Sequence, residues 1–520
     1  MTSKGVIAAG HAQTVDAAAI MLEEGGNAFD AVLAATFAAC VVEPVLSSLG
    51  GGGFLMAGPA GGDAPVLYDF FSQTPKRRAA GDDLDFHPIT ANFGSVTQEF
   101  HIGMASIATP GTLKGMFQVH RDLCTLPMAR IIEPALTLAR KGFTVNRLQA
   151  YLFGVVGPIY LHSDASRAIF ASTENPEKTR GEGETMTNPD FANTLEAIAR
   201  DGEDLFYRGE IAATIVRDCH DGGGVLGRDD FESYRVHKRT PMIFDYRGAR
   251  LFTNPAPSTG GLLIAFALEL LNDLDVGASG FGSITHLETL VSAMDQTNRA
   301  RVESGLREGV GENAAGTLLN PDFLASYKAQ VLGRPRAERG TTHISIIDAA
   351  GNTAALTLSN GEGAGYIAPA TGIMLNNMLG EEDINPAGFH QWQADTRLSS
   401  MMAPTLAFER DGRLTALGSG GSNRIRTAIL QVLVNLFDFA MSAGDAVEAP
   451  RLHSEGGVLN IENGFPDGAI ERLIEGPTEH KCWDERNLFF GGVHVARFEP
   501  NAGIFTGAGD PRRGGTARIV

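Results

Sequence analysis

Gly340-Thr-Thr-His-Ile-Ser-Ile-Ile-Asp-Ala-Ala-Gly-Asn-Thr-Ala-Ala-Leu-Thr-Leu-Ser359 is the stretch on which the reading of this chain turns. From Thr342 to Ile347 polar and apolar side chains alternate, Asp348-Ala-Ala-Gly-Asn352 has turn chemistry, and the alternation resumes from Thr353 to Ser359. Period-two patterning on both sides of a Gly/Asn turn predicts a β-hairpin. Gly340 and Thr341 stand at its mouth. A threonine hydroxyl is a poor nucleophile unless a base lies beside it, and a free α-amino group on the same residue is such a base. That amine exists only if the chain is cut just before the threonine. Glycine at the preceding position would ease the strained backbone of such a self-cleavage. The plain alternative is that Thr-Thr at a strand start is ordinary β-propensity.

Outward from the hairpin, the chain reads as one large mixed fold. Gln13–Glu24 is an Ala-rich amphipathic helix stopped by Gly25-Gly26, and Asn27 can cap a second helix that runs to Val42 before Glu43-Pro44 breaks it. Strands are expected near Phe54–Ala57 and Pro65–Phe71, and around a Tyr246-Arg247-Gly248 turn within Met242–Asn254. Further strands are expected at Thr405–Phe408, Thr415–Gly418, Val458–Ile461 and Val493–Phe498. Helices are expected near Thr112–Leu123, Ala129–Lys141, Ala192–Asp201, Leu262–Leu271, Ile284–Val302 and Arg426–Ala440. No repeat of 20–50 residues and no low-complexity linker interrupts the pattern.

The 520 residues are 43% apolar and 20% charged, which fits a globular chain of ordinary composition rather than a disordered or collagenous one. The formal net charge of −19 argues against nucleic-acid binding and against docking on anionic lipid, both of which need a basic surface. The longest apolar run, Ala31–Val42, has 12 residues, short of the roughly 20 that span a bilayer. Cys40, Cys124, Cys219 and Cys482 are scattered without a CxxC pair, and no secretory leader is visible, so a cytoplasmic protein is expected.

Several motifs are excluded or left open. Gly50–Gly53 lacks the spacing of a phosphate loop and reads as a tight turn where backbones approach closely. The 13 histidines include no HExxH, and nothing asks for a metal or an organic cofactor. Gly-x-Ser-x-Gly is absent. Gly418-Ser-Gly-Gly-Ser422 precedes a helix and suits an oxyanion-binding turn as well as a plain loop.

Landmarks along nearly the whole chain carry a resemblance. They include Glu24-Gly-Gly-Asn-Ala28, Leu49-Gly-Gly-Gly-Gly-Phe54, Thr109-Pro-Gly-Thr112 and Asn254-Pro-Ala-Pro-Ser-Thr-Gly-Gly261. Beyond the hairpin they continue with Leu375-Asn-Asn377, Leu398-Ser-Ser-Met401, Gly418-Ser-Gly-Gly-Ser422 and Asp510-Pro-Arg512. In these the chain resembles the γ-glutamyltranspeptidase family of N-terminal-nucleophile hydrolases. The resemblance implies an α/β (α+β) fold, a four-layer αββα sandwich. It also implies self-cleavage between Gly340 and Thr341 into a large part, 1–340, and a small part, 341–520, that stay associated in one intertwined fold. Thr341 would be the nucleophile, with its own amine as base, and the N–H groups of Gly420 and Gly421 would hold the oxyanion. The family's second threonine, 18 residues on, falls on Ser359, which keeps the hydroxyl. Water or an acceptor amine would resolve the acyl-enzyme.

The implied acyl pocket departs from the family pattern. Where glutathione-cleaving members carry an arginine for the glutamyl α-carboxylate, this chain has Phe71. The family's asparagine after the hairpin falls on Gly361, with Asn360 beside it as a substitute; the glutamine after Asn-Asn becomes Met378; the nearby aspartate aligns with Glu381. Ser399 and Ser400, on the carboxylate side, are kept. Arg397 reads either as an outward-facing charge or as a replacement carboxylate ligand. Losing a bidentate guanidinium from a buried site costs on the order of 2–5 kcal/mol. The expected activity is therefore amide cleavage on a small-molecule substrate whose acyl group is apolar or a simple carboxylate. The alternatives are a true γ-glutamyl hydrolase or transpeptidase with a clamp rebuilt from Arg397, Asn360 and Glu381, and an unprocessed scaffold without activity. The segment Asp383–Thr396, a lid in many relatives, is short here, and its Trp392 either walls the pocket or packs in the core. Pairing of processed units into a homodimer is compatible with this reading.

Overall fold

In the computed structural model, which describes residues 3–62, 64–78, 83–92, 97–304, 318–320, 341–385, 388–475 and 479–520, the hairpin forms as its alternation predicts. Thr342–Asp348 pairs antiparallel with Thr353–Ser359, Thr342 opposite Leu358 and Ile347 opposite Thr353. Asp348 builds the turn. One carboxylate oxygen accepts from the N–H groups of Ala350 and Asn352, both at 3.0 Å, and the other from the Asn352 amide at 2.7 Å. That second oxygen also takes the N–H of Ala28 at 2.9 Å, tying a helix start to the turn.

The hairpin is the centre of a seven-stranded antiparallel sheet. Its order is Thr516–Ile519, Gly5–Ala9, Thr342–Asp348, Thr353–Ser359, Gly52–Gly58, Val66–Phe70 and His237–Arg239. A six-stranded antiparallel sheet lies against one face, in the order Ile504–Ala508, Gly492–Glu499, Leu414–Gly420, Thr405–Glu409, Ala249–Thr253 and Met242–Tyr246. Strand alternation decides which side chains meet between the sheets. His343 and Ser345 face the second sheet: a Cβ on Gly418 would lie 2.3 Å from the His343 ring, and the Ser345 hydroxyl donates to the His494 carbonyl at 3.1 Å. Thr342 faces the other way, towards the helices.

Helices cover both outer faces and complete the four-layer αββα sandwich. Ala28–Val42 packs on the hairpin strands and is buried along its whole length, because Ala12–Glu23 and Met128–Lys141 cover it from outside. Asn27 caps it through a reciprocal pair with Asp30. On the other side Arg424–Phe437 packs on Leu414–Gly420, backed by Gly260–Leu271. The helix expected at Arg426–Ala440 thus starts two residues and ends three residues earlier, since the carbonyls of Gly421 and Ser422 accept its first N–H groups. Gly340 lies outside the described residues, and with it the expected cut and the division into 1–340 and 341–520.

Candidate active site

Register puts three of the sequence-expected site positions in line with Gly52. Leu358 opposite Thr342, Gly52 opposite Ser359 and Phe70 opposite Gly53, each carried to the neighbouring residue, set Thr341, Ser359, Gly52 and Phe71 in one row across four strands. The row lies on the face turned to the second sheet, directly above a row formed by His343, Thr357, Phe54 and Asp69. The row has a hydroxyl pair at one end and an aromatic ring at the other, and the main chain closes over Gly52 between them: a Cβ there would lie 2.6 Å from the Ser72 nitrogen and 2.9 Å from the Phe71 Cα.

At the hydroxyl end, Thr341 is 4% exposed, and Ser359 is buried with its hydroxyl accepting from the Gly361 N–H at 3.1 Å. The turn from the second sheet meets Thr341 at backbone contact: a Cβ on Gly420 would lie 1.9 Å from the Thr341 carbonyl oxygen. The Ser419 hydroxyl donates to the Gly420 carbonyl at 2.7 Å and accepts from the Gly492 N–H at 3.1 Å, which orients the peptide. Gly421 has φ +121°, a conformation reserved for glycine, and the helix Arg424–Phe437 starts three residues later. A helix N-terminus and two consecutive glycine amides beside a hydroxyl are suited to binding developing negative charge.

At the aromatic end, Phe71 is 2% exposed and stacks on Phe54 with centroids 5.4 Å apart. Arg397 does not face outward, the reading its sequence context favoured. It is 7% exposed, lies over the Tyr234 ring at 4.7 Å and bonds the Phe71 carbonyl and the Tyr234 hydroxyl. It also donates to the Arg235 carbonyl at 2.6 Å and lies 3.4 Å from Asp69. Asp69 in turn binds Arg239 at 2.7 Å and the Phe71 N–H at 3.1 Å. The guanidinium therefore fixes the main chain that presents Phe71. Met378 and Trp392 are buried in the same apolar cluster as Phe71, and the Met378 N–H is held by Asn376 at 3.1 Å.

Between the two ends sits a polar loop. Gly361 has φ +61°, and a Cβ there would lie 2.1 Å from the Asn377 amide oxygen and 2.2 Å from a Glu381 carboxylate oxygen. Glu381 thus reaches into the space that a side chain at 361 would fill. Asn360 is completely buried, and its amide has no hydrogen-bond partner among the described residues. Ser400 is buried with its hydroxyl accepting from the Met402 N–H at 3.0 Å, and Ser399 beside it is half-buried.

Two charged groups beside Thr341 and Thr342 were not singled out in the sequence. Glu43 accepts from the hydroxyls of Thr14 and Thr342, each at 2.8 Å; burial pushes its carboxyl up, opposed by those bonds and by Arg513. Arg513 reaches the Thr341 carbonyl at 3.4 Å. Its turn is held by a buried ionic network in which Asp510 pairs with Arg451 at 2.7 Å and with Arg512 at 3.2 Å, while Arg512 also pairs with Glu462. Glu43 followed by Pro44 carried only a helix-stop signal, and Arg513 follows directly on the Asp510-Pro-Arg512 landmark.

Comparison with known proteins agrees with this geometry. The chain is 29% identical to a glutathione hydrolase proenzyme of Escherichia coli (strain K12), over 98% of this chain and 90% of that one. It is 30% identical to the acylase ACY 1 proenzyme of Pseudomonas sp. (strain V22), over 99% and 93%. Among solved structures, a cephalosporin acylase from Bacillus halodurans superposes with a TM-score of 0.85 at 21% identity, covering 99% and 96% of the two chains. The Helicobacter pylori γ-glutamyltranspeptidase covers 63% of this chain and 91% of its own, with a TM-score of 0.53 at 26% identity. The family model for gamma-glutamyltranspeptidase matches residues 14–520, nearly the whole of the chain, and with the αββα sandwich already described this places it: the chain belongs to the gamma-glutamyltranspeptidase family of hydrolases and transferases.

Proposed function

We propose that the protein is a self-processing amidohydrolase and acyltransferase that cleaves a small amide through an acyl-enzyme on Thr341, with an acyl group other than γ-glutamyl. Cleavage before Thr341 frees the amine that takes the hydroxyl proton as the hydroxyl attacks the substrate carbonyl. The same amine returns that proton to the leaving amine. The amides of Gly420 and Gly421 stabilise the tetrahedral oxyanion, and Ser359 stands opposite Thr341 to orient its hydroxyl. Water, or an amine in transfer, then releases the acyl group. The observation that carries the substrate reading is an apolar wall: Phe71, Met378 and Trp392 share one buried cluster, and the guanidinium behind Phe71 is turned to the main chain. An apolar end, or a simple carboxylate met by Ser399 and Ser400, suits that wall better than a zwitterion.

A second reading has its own support. Buried Asn360 and the reach of Glu381 into the Gly361 space form a polar corner suited to an ammonium group, which favours a γ-glutamyl hydrolase or transpeptidase. The test uses intact-mass spectrometry of wild type and Thr341→Ala, then turnover of γ-glutamyl-, glutaryl- and hexanoyl-p-nitroanilide. Wild type is expected to split between Gly340 and Thr341 and the variant to stay whole. Hexanoyl or glutaryl anilide is expected to be the best substrate by at least about tenfold in kcat/KM, a 1.4 kcal/mol preference. A γ-glutamyl preference overturns the substrate reading, and a wild-type chain that stays whole and inactive moves the scaffold alternative forward.

A further inference from the structure

The strip of charge behind Thr341 has no part in the reaction just described. Arg513 lies on the Pro511–Arg513 turn, is 8% exposed, and touches three segments at once. One nitrogen donates to the Thr341 carbonyl at 3.4 Å and the other to the Leu488 carbonyl at 3.4 Å. A Cβ on Gly421 would lie 3.2 Å from the guanidinium and one on Gly420 3.5 Å, so the oxyanion turn packs directly on it. Its aliphatic stem fills the space over Gly492, where a Cβ would come within 2.4 Å of the Arg513 Cδ. From the helix layer, Glu43 fixes the next residue by accepting the Thr342 hydroxyl at 2.8 Å. The peptide joining Thr341 to Thr342 is thus gripped from both sides.

The geometry points to Arg513 as a positioning residue that sets the distance between Thr341 and the oxyanion turn and, as the cation closest to the Thr341 main chain among the contacts described, keeps the Thr341 amine a free base once the chain is cut. The electrostatic sign is fixed by elementary considerations. A cation beside an amine disfavours the ammonium form, so the amine stays unprotonated to lower pH. The other charged or titratable groups on the surrounding elements are Glu43, His11, Arg424 at the start of the helix after the turn, and His343 and His494 between the sheets. Burial holds His11 and His494 down to about 4 and His343 well below its usual range, so the histidines add no positive charge at neutral pH. Glu43 is the one carboxylate in the group and opposes Arg513. The network of Arg451, Asp510, Arg512 and Glu462 places the guanidinium without touching Thr341 itself.

This inference rests on the reading of Thr341 as an N-terminal nucleophile, and the experiment separates the two. Arg513→Met, Arg513→Lys and Arg513→Gln are compared with wild type for rate of splitting, thermal midpoint and the pH profile of kcat/KM on the best of the three anilides. Arg513→Met is expected to split and turn over at least about tenfold more slowly, with the acid limb raised by about half a pH unit or more. Its thermal midpoint is expected to stay within a few degrees of wild type. Arg513→Lys, which keeps the charge, recovers most of both effects. Should Arg513→Met fail to fold, Arg513→Gln keeps a donor without the charge and is expected to show the raised limb. Slower variants whose acid limb does not move, with Lys no better than Met or Gln, reduce Arg513 to scaffolding and overturn the inference alone. A wild-type chain that stays whole and inactive overturns the nucleophile reading, and the inference falls with it.

Discussion

Among the described glycines, the closest approach to another segment is at Gly420. A methyl group there would sit 1.9 Å from the Thr341 carbonyl oxygen, a backbone atom that cannot swing aside as a side-chain tip can. Gly420→Ala must therefore separate the two segments that the proposed reaction needs in contact. Removing one oxyanion donor costs about 100- to 1,000-fold in kcat where it has been isolated, and a displaced nucleophile adds to that. We expect Gly420→Ala to lower both splitting and anilide turnover by at least about 100-fold. Gly418→Ala is the comparison: its Cβ would meet the buried His343 ring, at 2.3 Å, so the strain enters one layer below Thr341 and not at the Thr341 carbonyl. Its main effect should be on urea stability. Equal activity losses in the two variants, at equal stability, would remove the special role assigned to Gly420. Gly361 shows the same logic in the acyl pocket. Its left-handed φ would accept asparagine, but the Glu381 and Asn377 oxygens occupy the place where that side chain would start.

One carboxylate organises the hairpin as an element. Asp348 takes three donors of its own turn and the first N–H of the helix Ala28–Val42, so one side chain joins the sheet to the layer that buries it. At about 1 kcal/mol per hydrogen bond, more when the acceptor is charged, Asp348→Ala should cost roughly 2–4 kcal/mol of stability. Splitting at the other end of the hairpin should continue. A chemical-denaturation curve and a splitting time course on the same variant check both halves; loss of splitting without loss of stability would mean that the turn acts on Thr341 through the strand. The hairpin was readable in the sequence because its alternation and its Asp-Ala-Ala-Gly-Asn turn agree. The helix Ala28–Val42 was readable from its Asn27 cap and its Glu43-Pro44 stop. Of the strands flanking the hairpin, Gly52–Gly58 was readable at Phe54–Ala57 and Gly5–Ala9 was not. Gly5–Ala9 is a short apolar run whose partner, Thr342–Asp348, is remote in the chain, and Thr516–Ile519 has equally little local pattern. In the site, Thr341, Ser359 and the glycine turn are carried by short motifs. The orientation of Arg397 is decided by Asp69, Tyr234 and the Arg235 carbonyl, all distant in sequence, and no local signal gives it. The row through Gly52 to Phe71 exists only once three strand registers are known.

Across the whole molecule, the packing of two sheets between helical layers buries polar groups that water would otherwise charge. His286, His453 and His494 are held down to about 4 by burial, and His343 well below its usual range for the same reason. His343 keeps both ring nitrogens bonded, to Thr357 at 2.8 Å and Ser345 at 2.9 Å, in the layer that joins the sheets directly beneath Thr341. The sign of the consequence follows from proton counting. Between the unfolded histidine value of about 6.5 and the depressed folded value, the unfolded chain binds protons that the folded chain refuses, so stability falls as pH falls. Each such histidine contributes a slope of about 1.4 kcal/mol per pH unit within that window and nothing above it. The urea midpoint should be flat from pH 8 to 7 and then drop steeply between pH 6 and 5, well before most carboxylates protonate. His343→Gln, which keeps an acceptor and a donor but cannot titrate, should flatten part of that drop. A midpoint unchanged from pH 7 to 5 would show that these rings charge freely in the folded state, and the tight inter-sheet layer beneath Thr341 would have to be looser than its hydrogen bonds imply.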